Sequence, residues 1–474
     1  METGGLWMLA AVGIGMVATG LPAWIVLIGV SLAFATGGIA AGIFDASFVA
    51  AIYPRLIGLL ENDLLQALPL YVLMGVIIAR TPLAETLFGA ARSVLAPTRR
   101  AAPLAGLSLG VLLAPMCGSV GAGVAMFSRT LHPHLAAAGL REERSMALVC
   151  VVSTLGVVVP PSLVLILLGD AMMRAHTEAA HIAGLNDRIV NTQDVFHAAL
   201  VPAGIFVALC AVVIAWQARG IREATPVRPT RAQWITAAAA TLMLASLLAG
   251  VALGYLYAVE AAATGGLLLA IHGFATRTLR REHLGAVLHD TLSLTGALFA
   301  LLIAANVFTL VERAFGTDRW LAQLFSGLGV NAVLAAGLGA IAVCALVLDA
   351  FEMIFVVIPL VAPALLTRVP DAPWVAVLVL LILQASFLVP PFGYAVMMAR
   401  SRLGTRVPTP ALMRAMLPFL AAQLAVLLLA LAFPGLLWRE SASLAPSTPP
   451  ADAQTLEQML DRIQGEPADD APGK

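Results

Sequence analysis

Val152-Ser153-Thr154-Leu155-Gly156-Val157-Val158-Val159-Pro160-Pro161-Ser162 and Leu383-Gln384-Ala385-Ser386-Phe387-Leu388-Val389-Pro390-Pro391-Phe392-Gly393 are apolar runs that each meet an adjacent proline pair. The second pair follows the first by 230 positions (160 and 390), and Pro363 follows Pro133 by the same interval. Proline lacks the amide hydrogen and collides with the preceding turn, so neither run passes through its pair as a regular helix. Interrupted spans at matching points in two halves of a membrane chain point to a transporter's binding site.

Composition fixes the class. The chain has 474 residues, 60% hydrophobic and 11% charged, with a mean hydropathy of +0.94. Soluble domains carry roughly 25% charge, so this chain belongs in lipid. With about 20 apolar residues needed per crossing, the sequence predicts roughly ten spans and two re-entrant hairpins. Backbone groups inside hydrocarbon must satisfy one another, and long apolar runs exclude the alternating pattern of a barrel. The predicted fold is an all-α polytopic membrane protein with an inverted repeat, two re-entrant hairpins and two interrupted helices. A formal net charge of zero, with no basic patch interleaved with aromatics, gives no indication of nucleic-acid binding. Cys117, Cys150, Cys210 and Cys344 lie scattered in apolar stretches and read as core hydrophobes. The N-terminus has no basic leader region, so the first apolar run is expected to be retained.

Arginines set the orientation. Four basic groups, Arg92/Arg99/Arg100, Arg219/Arg222/Arg228/Arg231, Arg277/Arg280/Arg281 and Arg400/Arg402/Arg406, belong inside by the positive-inside rule. The segment 174–196, with Glu178, Asp187 and Asp194, belongs outside. The hairpins, near 101–138 and 318–368, then enter from opposite faces. The expected organisation is scaffold or arm spans over 1–100 and a first transport-unit repeat over 101–173. A periplasmic loop and further scaffold spans cover 174–317, and the second transport-unit repeat covers 318–402. A final span over 403–438 precedes a tail over 439–474, rich in Pro, Ala and acids, that is too polar to bury a core and is expected to be disordered.

The first hairpin turns at Cys117-Gly118-Ser119-Val120-Gly121-Ala122-Gly123. Its glycines either free carbonyls for binding or serve close helix packing. Across from it, Ser153, Thr154, Gly156 and Ser162 surround the proline pair. Hydroxyls beside an unwound backbone offer the hard, uncharged oxygens that a dehydrated Na⁺ requires. In the second hairpin Asp349 and Glu352 stand at i, i+3, on one helical face if the helix runs through them. Each acid costs about 2.5–3.5 kcal/mol at mid-membrane, so both require partners: a cavity, a cap, or Arg313 and Arg319. Gln384 and Ser386 add oxygens, and Phe392 a wall. Glu260 reads as a lock between scaffold helices, and Arg129, His132 and His134 as residues of the cytoplasmic mouth.

At these residues the chain resembles the large membrane subunit of a tripartite ATP-independent periplasmic transporter, over nearly everything from Gly20 to about Pro434. Ser153-Thr154-Leu155-Gly156 running into Pro160-Pro161-Ser162, and Asp349-Ala350-Phe351-Glu352 followed by Ile358-Pro359-Leu360, are the most specific parts. They resemble the mannitol/chloroaromatic branch, which includes carriers of 2-oxo acids and lactate. The resemblance implies a sodium-driven elevator in the bacterial inner membrane, with an organic anion delivered by a periplasmic binding protein and a small four-helix membrane subunit bracing the large one. It implies Na⁺ sites at Gly118, Ser119, Ser153, Thr154 and Gly156, and at Gln384, Ser386, Pro390 and Gly393. Substrate and gating roles would fall to Pro160, Pro161, Ser162, Asp349, Glu352, Pro391 and Phe392. No catalytic residue and no organic cofactor are implied.

Two departures stand out. Val389 replaces the threonine usual before the second proline pair, and Leu256-Tyr257-Ala258-Val259-Glu260-Ala261 keeps only the glutamate and its flank from the usual Ala-Thr-Pro-Thr-Glu-Ala. A sodium–proton or other ion exchanger is the alternative; it needs a titratable acid where the broken helices cross, and the first half has none. A serine hydrolase built on Ser119 lacks a nearby histidine base.

Overall fold

The computed structural model describes residues 4–61, 63–98, 100–183, 190–219, 229–390, 393–404 and 407–437, and every regular element among them is a helix. The segment 439–474, expected to be disordered, lies outside the described residues, as do Asp187, Pro391 and Phe392. Helices α1 (Gly4–Thr19) and α2 (Ala23–Ala40) open the chain, followed by α3 (Ile52–Leu60) and α4 (Asp63–Arg80). Then come α5 (Leu83–Val94), α6 (Ala101–Leu113), α7 (Val120–Thr130), α8 (His132–Ala137), α9 (Glu142–Val158) and α10 (Leu163–Ala183). The middle is α11 (Thr192–Gln217), α12 (Arg231–Ala252), α13 (Ala258–Ala275) and α14 (Arg281–Ala314). The second half holds α15 (Thr317–Ser326), α16 (Val330–Cys344), α17 (Ala350–Glu352), a π turn at Met353–Val357 and α18 (Ile358–Leu366). It ends with α19 (Ala372–Leu388), α20 (Tyr394–Leu403) and α21 (Thr409–Ala432).

The repeat is structural. Helices α9 and α19 are both 17 residues long, and their starts (142, 372) and ends (158, 388) keep the 230-residue interval. Helices α6 and α16 correspond to within a residue at each end. Ser119 is the N-cap of α7 and Asp349 the N-cap of α17, again 230 apart. Five segments of membrane-spanning length separate the hairpins: Glu142–Ile182, Thr192–Gln217, Arg231–Ala252, Ala258–Ala275 and Leu284–Ala314. An odd number of crossings puts the hairpins on opposite faces, so the repeat is inverted.

Seven helices among the described residues are long and apolar enough to cross a membrane, or eight if α3 and α4, bent by 52°, form one span. The expected ten counted apolar residues rather than helix length. Helix α1 and the severed α19 are too short to pass on length alone.

Burial separates the layers. Within Glu142–Ile182, the first broken helix, 89% of the most apolar window is buried in protein, against 17% for α2 and 33–44% for α11, α12, α13, α14 and α21. The broken helices form the centre, and the uninterrupted helices face lipid. The two halves interlock: α7 of the first hairpin packs on α20, and α18 of the second packs on α10. Each hairpin thus rests on the outgoing half of the other repeat's broken helix, while α9 and α19 cross between them.

Candidate functional site

The first break is made by missing donors. Pro160 and Pro161 lack the amide hydrogens that the Gly156 and Val157 carbonyls would accept in a continued helix. Val159 becomes extended (φ −82°, ψ 115°), and the Pro160–Pro161 bond is cis. Ser162 Oγ repairs part of the damage: it donates to the Val157 carbonyl at 3.4 Å and accepts from Leu165 N at 3.2 Å. Ser162 therefore ends one half-helix and begins the next. The Gly156 carbonyl keeps no helical partner.

The first hairpin tip comes to this point. After a short 3₁₀ turn at Ala114–Met116, Gly118 adopts φ +71°, a left-handed conformation that glycine takes without strain. Ser119 Oγ then accepts from Ala122 N at 3.1 Å and starts α7. Two glycines clamp the tip. A Cβ on Gly75 of α4 would lie 2.8 Å from both the Met116 and Cys117 carbonyl oxygens, and one on Gly156 would collide with the Ala114 carbonyl. A cavity of about 10 Å³ remains on the Gly156 side of the tip, lined by Gly118, Ser119, Gly156 and the start of α10 at Leu163 and Val164. That is the room for about one water molecule or one bare cation.

Ser153 and Thr154 are buried on α9 beside this cavity without lining it. Their hydroxyls donate to the Val149 (2.7 Å) and Val151 (2.9 Å) carbonyls, which leaves their oxygen lone pairs free. Ser153 lies against Gly123 of α7, where an added Cβ would stand 3.5 Å away.

The second break repeats the backbone with other side chains. Val389 is again extended, Pro390 is buried, and Gly393 begins α20, which Gly393 permits because any side chain there would strike the Phe387 carbonyl. Ser386 Oγ donates to Leu383 O at 2.8 Å. Gln384 is wholly buried one turn before the break, and neither its Oε1 nor its Nε2 has a hydrogen-bond partner among the described residues. Leaving buried polar atoms unpaired costs about 1–3 kcal/mol each, so an orphaned carboxamide here requires a reason.

Of the partners expected for Asp349 and Glu352, the structure shows a cap rather than an ion pair. Asp349 is the N-cap of α17, and the two acids form a reciprocal capping box in which Asp349 N donates to Glu352 Oε2 at 2.9 Å. Neither meets Arg313, which pairs with Glu178 at 2.7 Å. The acids therefore hold the second hairpin tip together. Tyr394, which the sequence reading passed over, stands at the start of α20. Asp349 and Glu352 are its electrostatic neighbours, and its hydroxyl sits over Gly121 of the first hairpin, 2.8 Å from where a Cβ would be. The second break lies against the middle of α9: Cys150 donates to the Ala395 carbonyl, just past that break, at 3.6 Å.

The weaker candidates resolve into scaffolding. Glu260 accepts from Tyr257 N at 3.0 Å and caps its own helix. Arg129 donates to the Ala79 carbonyl of α4. His132 hydrogen-bonds Ser145 at 2.9 Å, and His134 stacks on Phe88 at 5.0 Å. Burial, with the Arg92 charge behind it, lowers the His134 pKa from its ordinary value. What the centre offers is uncharged oxygen at the ends of four half-helices. Carbonyl-bearing C-termini of α9 and α19 suit a cation, and the N-termini of α10 and α20 suit an anion.

Comparison with known proteins agrees with this architecture. The family described as the tripartite ATP-independent periplasmic transporter, DctM component, matches residues 10–436. A C4-dicarboxylate large permease protein of Pseudomonas aeruginosa is 22% identical over 408 residues, covering 83% of this chain and 90% of that protein. Among solved structures, the YdaH transporter of Alcanivorax borkumensis superposes with a TM-score of 0.57 at 17% identity, covering 84% of this chain and 91% of that one. The MtrF efflux pump of Neisseria gonorrhoeae superposes with a TM-score of 0.52 at 13% identity, over 82% of this chain and 83% of that one. These two likenesses concern the fold.

Proposed function

Because the chain belongs to the DctM-component family of tripartite ATP-independent periplasmic transporters, a multi-pass inner-membrane transporter family rather than an enzyme family, we propose that it is the large subunit of a sodium-coupled carrier importing a carboxylate. A periplasmic binding protein delivers the anion and a small membrane subunit braces the scaffold, as membership of the family implies. The hairpins and broken helices move as one unit against the long helices, in an elevator cycle.

The observation that carries this reading is Gln384, whose buried carboxamide has no partner among the described residues. A Na⁺ beside the second break, held by Gln384 Oε1 and by carbonyls that Pro390 and its neighbour leave free, supplies one. The first ion is held by the Gly156 carbonyl, the tip at Gly118 and Ser119, and the hydroxyls of Ser153 and Thr154. Sodium binding draws each tip onto its break, and the N-termini of α10 and α20 then attract the carboxylate. No covalent step is needed. The C4-dicarboxylate relative and the lactate-carrying branch that the sequence resembles both point to a small organic acid.

The test is uptake of ¹⁴C-succinate and ¹⁴C-lactate into proteoliposomes holding the chain with its small subunit and binding protein. An inward Na⁺ gradient should drive uptake of one of them, and omitting the binding protein should abolish it. Uptake that proceeds equally when K⁺ replaces Na⁺ would overturn the proposal.

A further inference from the structure

A second polar site lies between the mobile and stationary layers, away from the breaks. Helix α10 presents Asp170, Arg174 and Glu178 at i, i+4, i+8, and α14 presents Asn306, Thr309 and Arg313 at i, i+3, i+7. Each set forms one helical stripe, and both stripes line the same cavity of about 170 Å³, closed on a third side by Phe355 and Pro359 of the second hairpin. The stripes are joined at the outer end by the Arg313–Glu178 pair, 2.7 Å. On α10 itself Arg174 pairs with Asp170 at 3.0 Å.

Asn306 is the informative residue. It lies two turns inside the apolar helix α14, half-buried, and its carboxamide makes no hydrogen bond among the described residues. The Thr309 hydroxyl donates to the Asn306 carbonyl at 3.1 Å, so its oxygen remains open as an acceptor. Polar side chains inside a span face a cavity because they serve a ligand or a partner, and here no protein partner is present. Drug-sized ligands occupy roughly 300–1,000 Å³, so a cavity of 170 Å³ admits only a small molecule.

We propose that this cavity is an outer receiving site for a small carboxylate, distinct from the site between the breaks. The inference rests on the organic-anion reading above and on the outward orientation of the 174–196 segment. The incoming carboxylate displaces Glu178 from Arg313 and takes the Asn306 amide as a second donor. That exchange unfastens α10 from α14, so the same event that seats the anion releases the mobile layer.

The ion pair makes the proposal separable from a mere latch. In the reconstituted complex, Arg313→Gln should raise the KM for ¹⁴C-succinate or ¹⁴C-lactate at least about tenfold, the weight of one charge-assisted hydrogen bond. Glu178→Gln should lower KM or leave it unchanged, because it frees the guanidinium. Asn306→Leu, which leaves the ion pair intact, should raise KM several-fold. If Arg313→Gln and Glu178→Gln raise KM alike, or Asn306→Leu leaves it unmoved, the cavity is a structural seam and the inference fails. Absence of sodium-driven uptake in the unsubstituted complex would instead sink the functional reading itself.

Discussion

Gln384→Leu separates function from stability in opposite directions. Leucine nearly matches glutamine in size, so the substitution removes two orphaned polar atoms without opening a large cavity. A buried amide without partners costs about 1–3 kcal/mol in proteins, so the leucine variant should be more stable by that amount when sodium is absent. Sodium reverses the balance. A ligand at 100 times its Kd stabilises the folded state by about 2.7 kcal/mol, a gain available only to the chain that binds it. The two proteins should therefore differ clearly in choline chloride and come close together in saturating NaCl. Cys117, Cys150 and Cys210 are free and buried, so a thiol-reactive dye reports unfolding directly. Thermal midpoints measured with the dye across a NaCl titration, with KCl as control, give both terms. A leucine variant that is less stable in choline chloride, or that keeps the full sodium-dependent rise, refutes the assignment of Gln384 as an ion ligand.

Gly75→Ala places a methyl 2.8 Å from two backbone oxygens that cannot rotate away, and overpacking of this kind costs about 1–3 kcal/mol. The hairpin tip should lift, and maleimide labelling of Cys117 should rise; Gly29→Ala, where nothing lies within 4 Å of the new methyl, should leave labelling unchanged. Val389→Thr restores a hydroxyl before the second proline pair. Uptake by the threonine variant should reach half its maximum at lower [Na⁺], because the ion proposed beside Gln384 gains an oxygen ligand; an unchanged sodium dependence contradicts the role given to position 389.

Much of the fold could be read because proline acts locally. Pro160 and Pro390 end α9 and α19 wherever the chain is placed, so both helix ends and the repeat interval follow from sequence alone. The sequence also marks Gln384, a carboxamide inside an apolar run, and the structure leaves it buried without a partner among the described residues. Gly75 was not legible, since it is unremarkable in its own helix and matters only because two carbonyls from 40 residues away descend on it. The Asn306–Arg313 stripe was hidden for the same cause; a polar face has meaning only once the opposing helix is known. Asp349 and Glu352 have a local signature, and of the partners the sequence allows them the structure shows the cap. Asp-x-x-Glu before an apolar run is a capping box, and the turn at Leu348 makes Asp349 a cap rather than a helical residue.

The two halves keep their turns and exchange their chemistry, which bears on how the sites divide the work. At positions 230 apart, Ser119 corresponds to Asp349, Thr154 to Gln384, and Gly156 to Ser386. Caps and breaks stay in register because either a hydroxyl or a carboxylate can accept the same backbone amide. The electrostatic result differs. The first tip arrives uncharged, so an ion there depends on carbonyl geometry and on the close seating that Gly75 and Gly156 allow. The second tip arrives carrying two carboxyl groups already held in a capping box at the start of α17.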